Sequence, residues 1–506
     1  MRTTFFVVAA ALGVSSTAAA ETWHVAVTGD DATAGTQAAP WRTIQRAADA
    51  VNPGDTVVIH AGEYAGFRAR PRGTEAAPIA FVGDGEVTIR GDAPGDRDGV
   101  HLDGVAWTRV EGLTVIGATR AGISANECER VTIRNNRVDQ NGRWGIFTAF
   151  CDDLLIEGNE ASRSGREHGI YASNSGDRPV IRSNRIWGNG ACGIHLNGDI
   201  NFGGDGVISD AVIERNVILD NGRNGGSGIN GDGVVGALIR NNVVDGNHAS
   251  GISLYQIDGG RPSTGNRVIN NTVRMAGDAR WAVNIQDGSG GNILRNNIFL
   301  HPNAGRGAIF LCATCGAGLV SDHNVVVGRF SLDGTGVDLA GWRTRTGQDA
   351  ASVVATDADL FVDPAAGDLA LRAGAPAIDR GVADDAPASD VIGTVRPQGA
   401  AIDVGAYEHC DGTCAGTTEP GGDPGTPEPA PDPTPDPTPD PEPAPAADSG
   451  GCSAGGAASG LGLALALALA AVAALSASRR RGGRATRGSS APARARSRGP
   501  GRPPAR

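Results

Sequence analysis

The side chains best suited to moving a proton, His168, Tyr171 and His195, stand close together in a chain of 506 residues that contains no lysine. General-base chemistry therefore rests with His, Tyr or Arg. Just beyond them come Asp199, Asp205, Asp232 and Asp258. Asp199, Asp205 and Asp258 supply the hard oxygen donors that Ca²⁺ prefers. Two opposed carboxylates, Asp199 with Asp232 or Asp232 with Asp258, would instead suit glycosidic hydrolysis. Asn197, Asn230, Asp232, Tyr255, Arg280, Trp281 and Asn284 complete the set. Amides and carboxylates bond hydroxyls and aromatic faces cover apolar ring surfaces, so this group suits an extended sugar chain.

A repeat positions these residues. An apolar–polar–Asn–apolar phrase recurs as VTIRNNRV, LLIEGNEA, VIRSNRI, VIERNVI, LIRNNVV, VINNTV, ILRNNIF and SDHNVV. Its asparagines are Asn136, Asn159, Asn184, Asn216, Asn242, Asn271, Asn297 and Asn324, spaced 23, 25, 32, 26, 29, 26 and 27 residues apart. A Gly-Ile phrase runs between them at Ile123, Ile146, Ile170, Ile194, Ile229 and Ile252. Apolar pieces of two to four residues with period-two alternation read as short strands. Asn tolerates the left-handed bend between them, and the same Asn in every unit would stack into an amide ladder. A unit of about 25 residues with three short strands is one coil of a right-handed parallel β-helix. The expected fold is thus an all-β solenoid of ten or more coils.

In such a coil each Gly-Ile isoleucine points inward and the next residue outward. The outward columns are Ser124, Phe147, Tyr171, His195, Asn230, Ser253 and Asn284, then Asn126, Ala149, Ser173, Asn197, Asp232, Tyr255 and Gln286. From the Gly-Ile isoleucine to the next ladder Asn takes 13 or 14 residues in four coils, but 22 after Ile194 and 19 after Ile252. Long loops in an economical repeat mark function, and these two flank the Asp232 coil. The ladder asparagines read as structural. His60, His101, His301 and His323 read as surface or turn residues, and Trp144 and Trp187 as turn packing.

The ends carry different signals. Arg2, an apolar run from Phe5 to Val14 and Ala18-Ala19-Ala20 read as a secretory signal, residues 1–20. Export permits disulfides: Cys128 and Cys151 lie one coil apart, Cys312/Cys315 and Cys410/Cys414 form local pairs, and Cys192 and Cys452 are left over. The close pairs are also zinc half-sites in type, though no His-rich partner lies nearby. Trp41, Ile44, Ala47, Ala48 and Val51 have helical spacing, so a cap helix is expected within residues 21–109, before the repeats at 110–327. After residues 328–417 comes a Pro/Asp/Glu-rich spacer at 418–450. Segment 451–481 holds an apolar run from about Ala457 to Ala477, long enough to span a bilayer, ended by Arg479-Arg480-Arg481. A basic tail follows at 482–506. The chain has 44 basic and 56 acidic residues, net −12; without the ten arginines from Arg479 onward, 34 against 56 leaves −22. So acidic an exported part argues against nucleic acid as partner.

The stretch GTQAAPWRTIQRAADAVNPGDTVVIHAGEY resembles the start of secreted pectate-lyase-like β-helix proteins. DADLFVDPAAGDLALRAGAPAIDRGV with DVIGTVRPQGAAIDVGAYE resembles a C-terminal region of bacterial surface β-helix proteins that carry alternative anchors. The Cys-containing, Arg-ended tail resembles a myxobacterial sorting segment. The first resemblance implies a groove along the Gly-Ile strand face, between the long loops. Lyases of acidic polysaccharides need a cation for the uronate carboxylate, a base for the C5 proton and an acid for the leaving oxygen. On that pattern His195, Tyr171 and His168 would be catalytic. The substrate-binding residues would be Asn197, Asn230, Asp232, Tyr255, Arg280, Trp281 and Asn284, with Ca²⁺ on Asp199, Asp205 and Asp258. The chain is therefore expected to be a secreted, surface-tethered monomer that acts on an acidic or neutral polysaccharide by lyase chemistry. A non-catalytic glycan- or matrix-binding protein, and a hydrolase or uronate epimerase, are the alternatives on the same scaffold.

Overall fold

Burial of the Gly-Ile isoleucines sets the architecture. Ile123, Ile146, Ile170, Ile194, Ile229 and Ile252 are all within the core, which removes their apolar area from water. The computed structural model describes residues 20–412 and Cys414. Within them the chain winds as an all-β right-handed parallel β-helix.

The strand that follows each Gly-Ile glycine belongs to a twelve-stranded front sheet. It includes Val100–Asp103, Ala121–Asn126, Trp144–Ala149, Ile170–Ser173, Ile194–Asn197, Ile229–Asp232, Ile252–Tyr255 and Trp281–Ile285. Pairing is parallel and in the register the repeat implies: Tyr171 with His195, His195 with Asn230, Asn230 with Ser253 and Ser253 with Asn284. Each repeat coil adds two further strands, as at Thr132–Arg134 and Arg137–Asp139, on either side of the ladder Asn.

The amide ladder runs unbroken from Asn136 to Asn324. Each Nδ2 donates to the next coil's Oδ1 at 2.9–3.1 Å, and that Oδ1 also accepts the backbone N–H of the Asn below. One detail differs from the sequence expectation. The left-handed backbone falls on the residue before the ladder Asn: Asn135, Ser183, Arg215, Asn241, Asn270, Asn296 and His323 all have positive φ. The ladder Asn must keep its side chain inward to stack, so its neighbour takes the bend. A second ladder, Asn189–Asn221–Asn247, turns the next corner of the same coils.

The open ends are covered. Helix α1 (Ile44–Ala48) is shorter than the Trp41–Val51 spacing suggests, because Trp41 bridges to Val25 and Thr43 caps the first turn. Trp41, Ile44, Ala47, Ala48 and Val51 are nevertheless all buried. At the far end helix α2 (Leu339–Thr346) places Trp342 against Phe330, ring centroids 4.8 Å apart. The chain then doubles back as a strap along the coils. Asn241 Nδ2 donates to the Ser389 carbonyl, Asn270 Nδ2 to the Asp403 carbonyl and Asn296 Nδ2 to the Val382 carbonyl. In the Asn-Asn dipeptides at these coils, then, the first Asn holds the strap and the second stacks.

Three disulfides join Cys128–Cys151, Cys312–Cys315 and Cys410–Cys414, and Cys192 is a buried thiol. No helix among the described residues is long and apolar enough to cross a membrane. The expected signal, spacer, membrane-spanning segment and basic tail lie outside the described residues.

Asn242→Ala should destabilise the fold by about 4 kcal/mol. It removes the acceptor for Asn216's backbone and side-chain N–H and the donor to Ile213 and Asn271, each worth about 1 kcal/mol. Asn241→Gly, which keeps the left-handed backbone and removes only strap contacts, should cost about 1 kcal/mol. Denaturant unfolding of the two variants measures the contrast.

Candidate active site on the strand face

Tyr171, His195 and Asn230 stand one above another on the outer face of the front sheet, as do Asn197, Asp232 and Tyr255 two residues along. Strand register alone aligns them. His168 lies just before the Tyr171 strand and reaches across it, its Nε2 3.2 Å from His195 Nδ1. Tyr171 stacks on His195 at 4.9 Å and 11° and meets the edge of His168 at 4.9 Å. Asn197 Nδ2 donates to the Tyr171 hydroxyl at 3.3 Å. Burial, then the neighbouring His195 and Arg143, hold His168 well below the ordinary imidazole range, so it is neutral.

Aromatic rings continue along the same column. Phe147 packs 5.5 Å from Tyr171 and stacks on Trp144 at 4.3 Å. The rings lie against one another along the helix axis, so their faces are partly taken and cannot all serve as sugar platforms. Tyr255, expected to be one, is 2% exposed and its hydroxyl accepts from Asn230 Nδ2. The apolar groups that do reach solvent here come from the two inserted loops: Ile200 is 45% exposed, Phe202 64% and Ile257 55%.

Those loops dock on each other. The backbone N–H of Ile200 donates to the Asp258 carbonyl at 2.9 Å, and that of Gly260 to the Gly206 carbonyl at 2.7 Å. Close approach is built in, because a Cβ at Gly206 would meet the Gly260 backbone at 2.6 Å. Asp232 anchors the second loop by accepting backbone N–H bonds from Ile257, Asp258 and Gly259 at 2.8–3.0 Å. Its role is therefore to position the loop, since its oxygens are occupied by main chain and it is buried.

Asp199, buried, and Asp258, half-buried, are the carboxyls that the two docked loops bring near His195. Desolvation raises both above the ordinary aspartate range. The Asp232 charge adds to this in each and the Asp199 charge adds further in Asp258, while His195 acts in the opposite sense on both. Asp199 itself has a left-handed backbone and accepts from the Asn201 backbone at 3.1 Å. Asp205 stands apart: it is exposed and closes its own turn on the Val207 backbone N–H at 2.9 Å. Asp287 lies at the surface one coil beyond Asp258. Desolvation first and Asp232 next raise it. Gln286-Asp287-Gly288 echoes Gln256-Ile257-Asp258-Gly259 one coil earlier.

The remaining expected residues share the face but lie farther along it. Trp281 and Asn284 sit three strands beyond His195, about 14 Å at the usual strand spacing. Trp281 packs 5.9 Å from Phe310, Asn284 accepts from the Gln286 amide, and Arg280 is half-buried beside them. His101 is no surface turn residue. It is buried on the same face, its Nδ1 bonded to Asp96 and its Nε2 2.9 Å from Asn126 Nδ2.

Residues 98–273 match the family model described as a right handed beta helix region. Pectate lyase PEL9 from Emericella nidulans is 26% identical over 201 residues, covering 34% of this chain and 48% of that protein, so the chain spans about half the length of that relative. Among solved structures, the pectate lyase Pel9A is similar with a TM-score of 0.56 at 18% identity, over 77% of this chain and 96% of that one. A rhamnogalacturonan lyase aligns with a TM-score of 0.45 at 16% identity, over 57% and 84%.

Raised carboxyls favour folding while protonated, so their contribution is present below the ordinary aspartate range and lost as pH climbs through their shifted values. Asp258→Asn should therefore melt above the parent protein at neutral pH. The gap should close as pH falls below the ordinary aspartate range, as calorimetry at both conditions would record.

Proposed function

We infer that the chain is a polysaccharide-active β-helix protein whose strand face, beneath the paired loops, carries out lyase-like cleavage. One observation carries the reading: His195, stacked on Tyr171, acts electrostatically on the Asp199 and Asp258 carboxyls where the two inserted loops dock on each other. The likeness in fold to pectate lyase Pel9A supports a sugar polymer as the ligand.

Asp199 and Asp258, with the Asn197 amide between them and Tyr171, fit a hard divalent cation such as Ca²⁺. Their raised titration marks negative charge that a cation would relieve. Asp205, held in its own turn, is not part of that set. When bound, the cation would neutralise a uronate carboxylate and acidify the adjacent C–H. The chain's own groups supply the rest. A basic side chain takes the C5 proton, the C–H electrons form the C4–C5 double bond, the C4–O bond breaks, and a donor protonates the leaving oxygen. Tyr171 and His195 front this space, and Phe202, Ile200 and Ile257 form its apolar rim. Secretion and tethering at the cell surface through the C-terminal segment complete the proposal.

The test is a screen of uronate-containing and neutral polysaccharides, with and without Ca²⁺. Calcium-dependent ultraviolet absorbance from unsaturated uronate ends is expected, and His195→Ala should lower the rate by about 100-fold or more. New reducing ends without that absorbance would mean hydrolysis by the Asp199/Asp258 pair. Binding without product would make the face a glycan-binding surface. Full activity in His195→Ala would remove this residue from the chemistry.

A further inference from the structure

Two histidines in contact must decide which of their four nitrogens carry protons, and here the main chain decides. The backbone N–H of Cys192 points at His168 Nδ1 from 3.1 Å. An amide N–H can only donate, so Nδ1 must present its lone pair and the His168 proton sits on Nε2. A carboxylate oxygen of Glu167, itself held by Arg143 and Trp144, lies 3.7 Å from that Nε2 and favours the same choice. Nε2–H then faces His195 Nδ1 at 3.2 Å, which must in turn be a lone pair. His195 is left with its proton on Nε2. The rings cannot readily trade roles. They cross at 76°, Tyr171 covers one face of His195, and both imidazoles are buried.

We propose that His168 is a positioning residue that fixes His195 as its Nε2–H tautomer, so that His195 serves the strand face as a hydrogen-bond donor to a sugar oxygen and not as a proton acceptor. The proposal deepens the polysaccharide reading, on which the identity of the acceptor rests. The consequence is a division of labour. A proton taken by His195 would have to enter at Nδ1, against the N–H of His168, so the base of any elimination is another group, and Tyr171 is the one in contact. His195 instead steadies negative charge as it forms on a substrate oxygen. His168, Cys192 and His195 also have the donor types of a transition-metal site, with their ligand atoms within 4.8 Å of one another. A metal between the two rings would need the Nε2 lone pair of His168 while Nδ1 also accepts a bond, leaving that ring without a proton. The relay satisfies both nitrogens with no such demand.

Long-range ¹H–¹⁵N spectra of the full chain labelled at histidine read the tautomers directly, with no substrate present. Both rings should show a protonated Nε2 and an unprotonated Nδ1 at neutral pH. A His195 with protonated Nδ1, as the other tautomer or as imidazolium, overturns the proposal. So does stoichiometric Zn²⁺ binding that shifts both rings. His168→Gln, which keeps an N–H donor, should retain the single His195 tautomer, and His168→Phe should lose it. A His168→Phe protein with an unchanged His195 signal overturns the positioning role, and if that variant does not fold the parent spectrum still decides. For the glycan found in the screen, His195→Gln should hold affinity within about tenfold of the parent, whereas His195→Ala should fall further, as expected for loss of one buried donor. If no glycan binds, the polysaccharide reading fails while the tautomer result stands.

Discussion

A buried amide must find partners for two N–H donors and a carbonyl oxygen, and in this chain it finds most of them in its own copies. Each ladder Asn donates to the Asn of the next coil and to a main-chain carbonyl, and accepts from the coil before. That constraint locks each coil in register with its neighbours at one corner, and a shift by a single residue would strand several buried polar groups at once. The parallel pairing of the front sheet, and with it the alignment of Tyr171 over His195 over Asn230, follows from a register held at that corner and repeated in the second ladder.

The scaffold was legible because it is periodic. The Gly-Ile and Asn phrases name the inward and stacking positions, and the outward columns come out in the order the spacing implies. The Cys128–Cys151 pair was legible for the same reason, since the two differ by one coil, and the other two pairs by simple proximity in sequence. Departures appear where a residue answers to something outside its own repeat. The second ladder hides in Asn189-Gly190, Asn221-Gly222 and Asn247-His248, which read equally well as turns. The helix at the N-terminal end is short because Trp41 is recruited into strand pairing with Val25. The first Asn of the Asn241-Asn242, Asn270-Asn271 and Asn296-Asn297 pairs answers to a strap 86 to 148 residues away.

The candidate face was legible as an arrangement but not as a set of roles. Loop lengths pointed to it, and the structure brings His168, Tyr171, His195, Asn197, Asp199 and Asp258 near one another there. Roles depend on which atoms are already engaged, and spacing does not reveal that. Asp232 looks like an available carboxylate until three backbone N–H groups are seen to occupy it. Tyr255 looks like a platform until it is found buried. Asp205 looks like a ligand until its oxygen is traced to its own turn. Conversely Phe202 and Ile257, unremarkable apolar residues in sequence, gain importance because the docked loops hold them at the rim of a polar site.

The strap along the coils bears on how the molecule is assembled. Ladder and sheet contacts join residues about one coil apart, so coils can form in order as the chain is delivered, each templated by the last. Contacts such as Arg215 with Ser389, Asn241 with Ser389 and Asn270 with Asp403 close separations of 174, 148 and 133 residues. They come from the strap and reach back over coils that precede it in the chain. The strap therefore ties together coils that the ladder joins only to their immediate neighbours, and the coils that carry the loops over Asp199 and Asp258 are among those it secures.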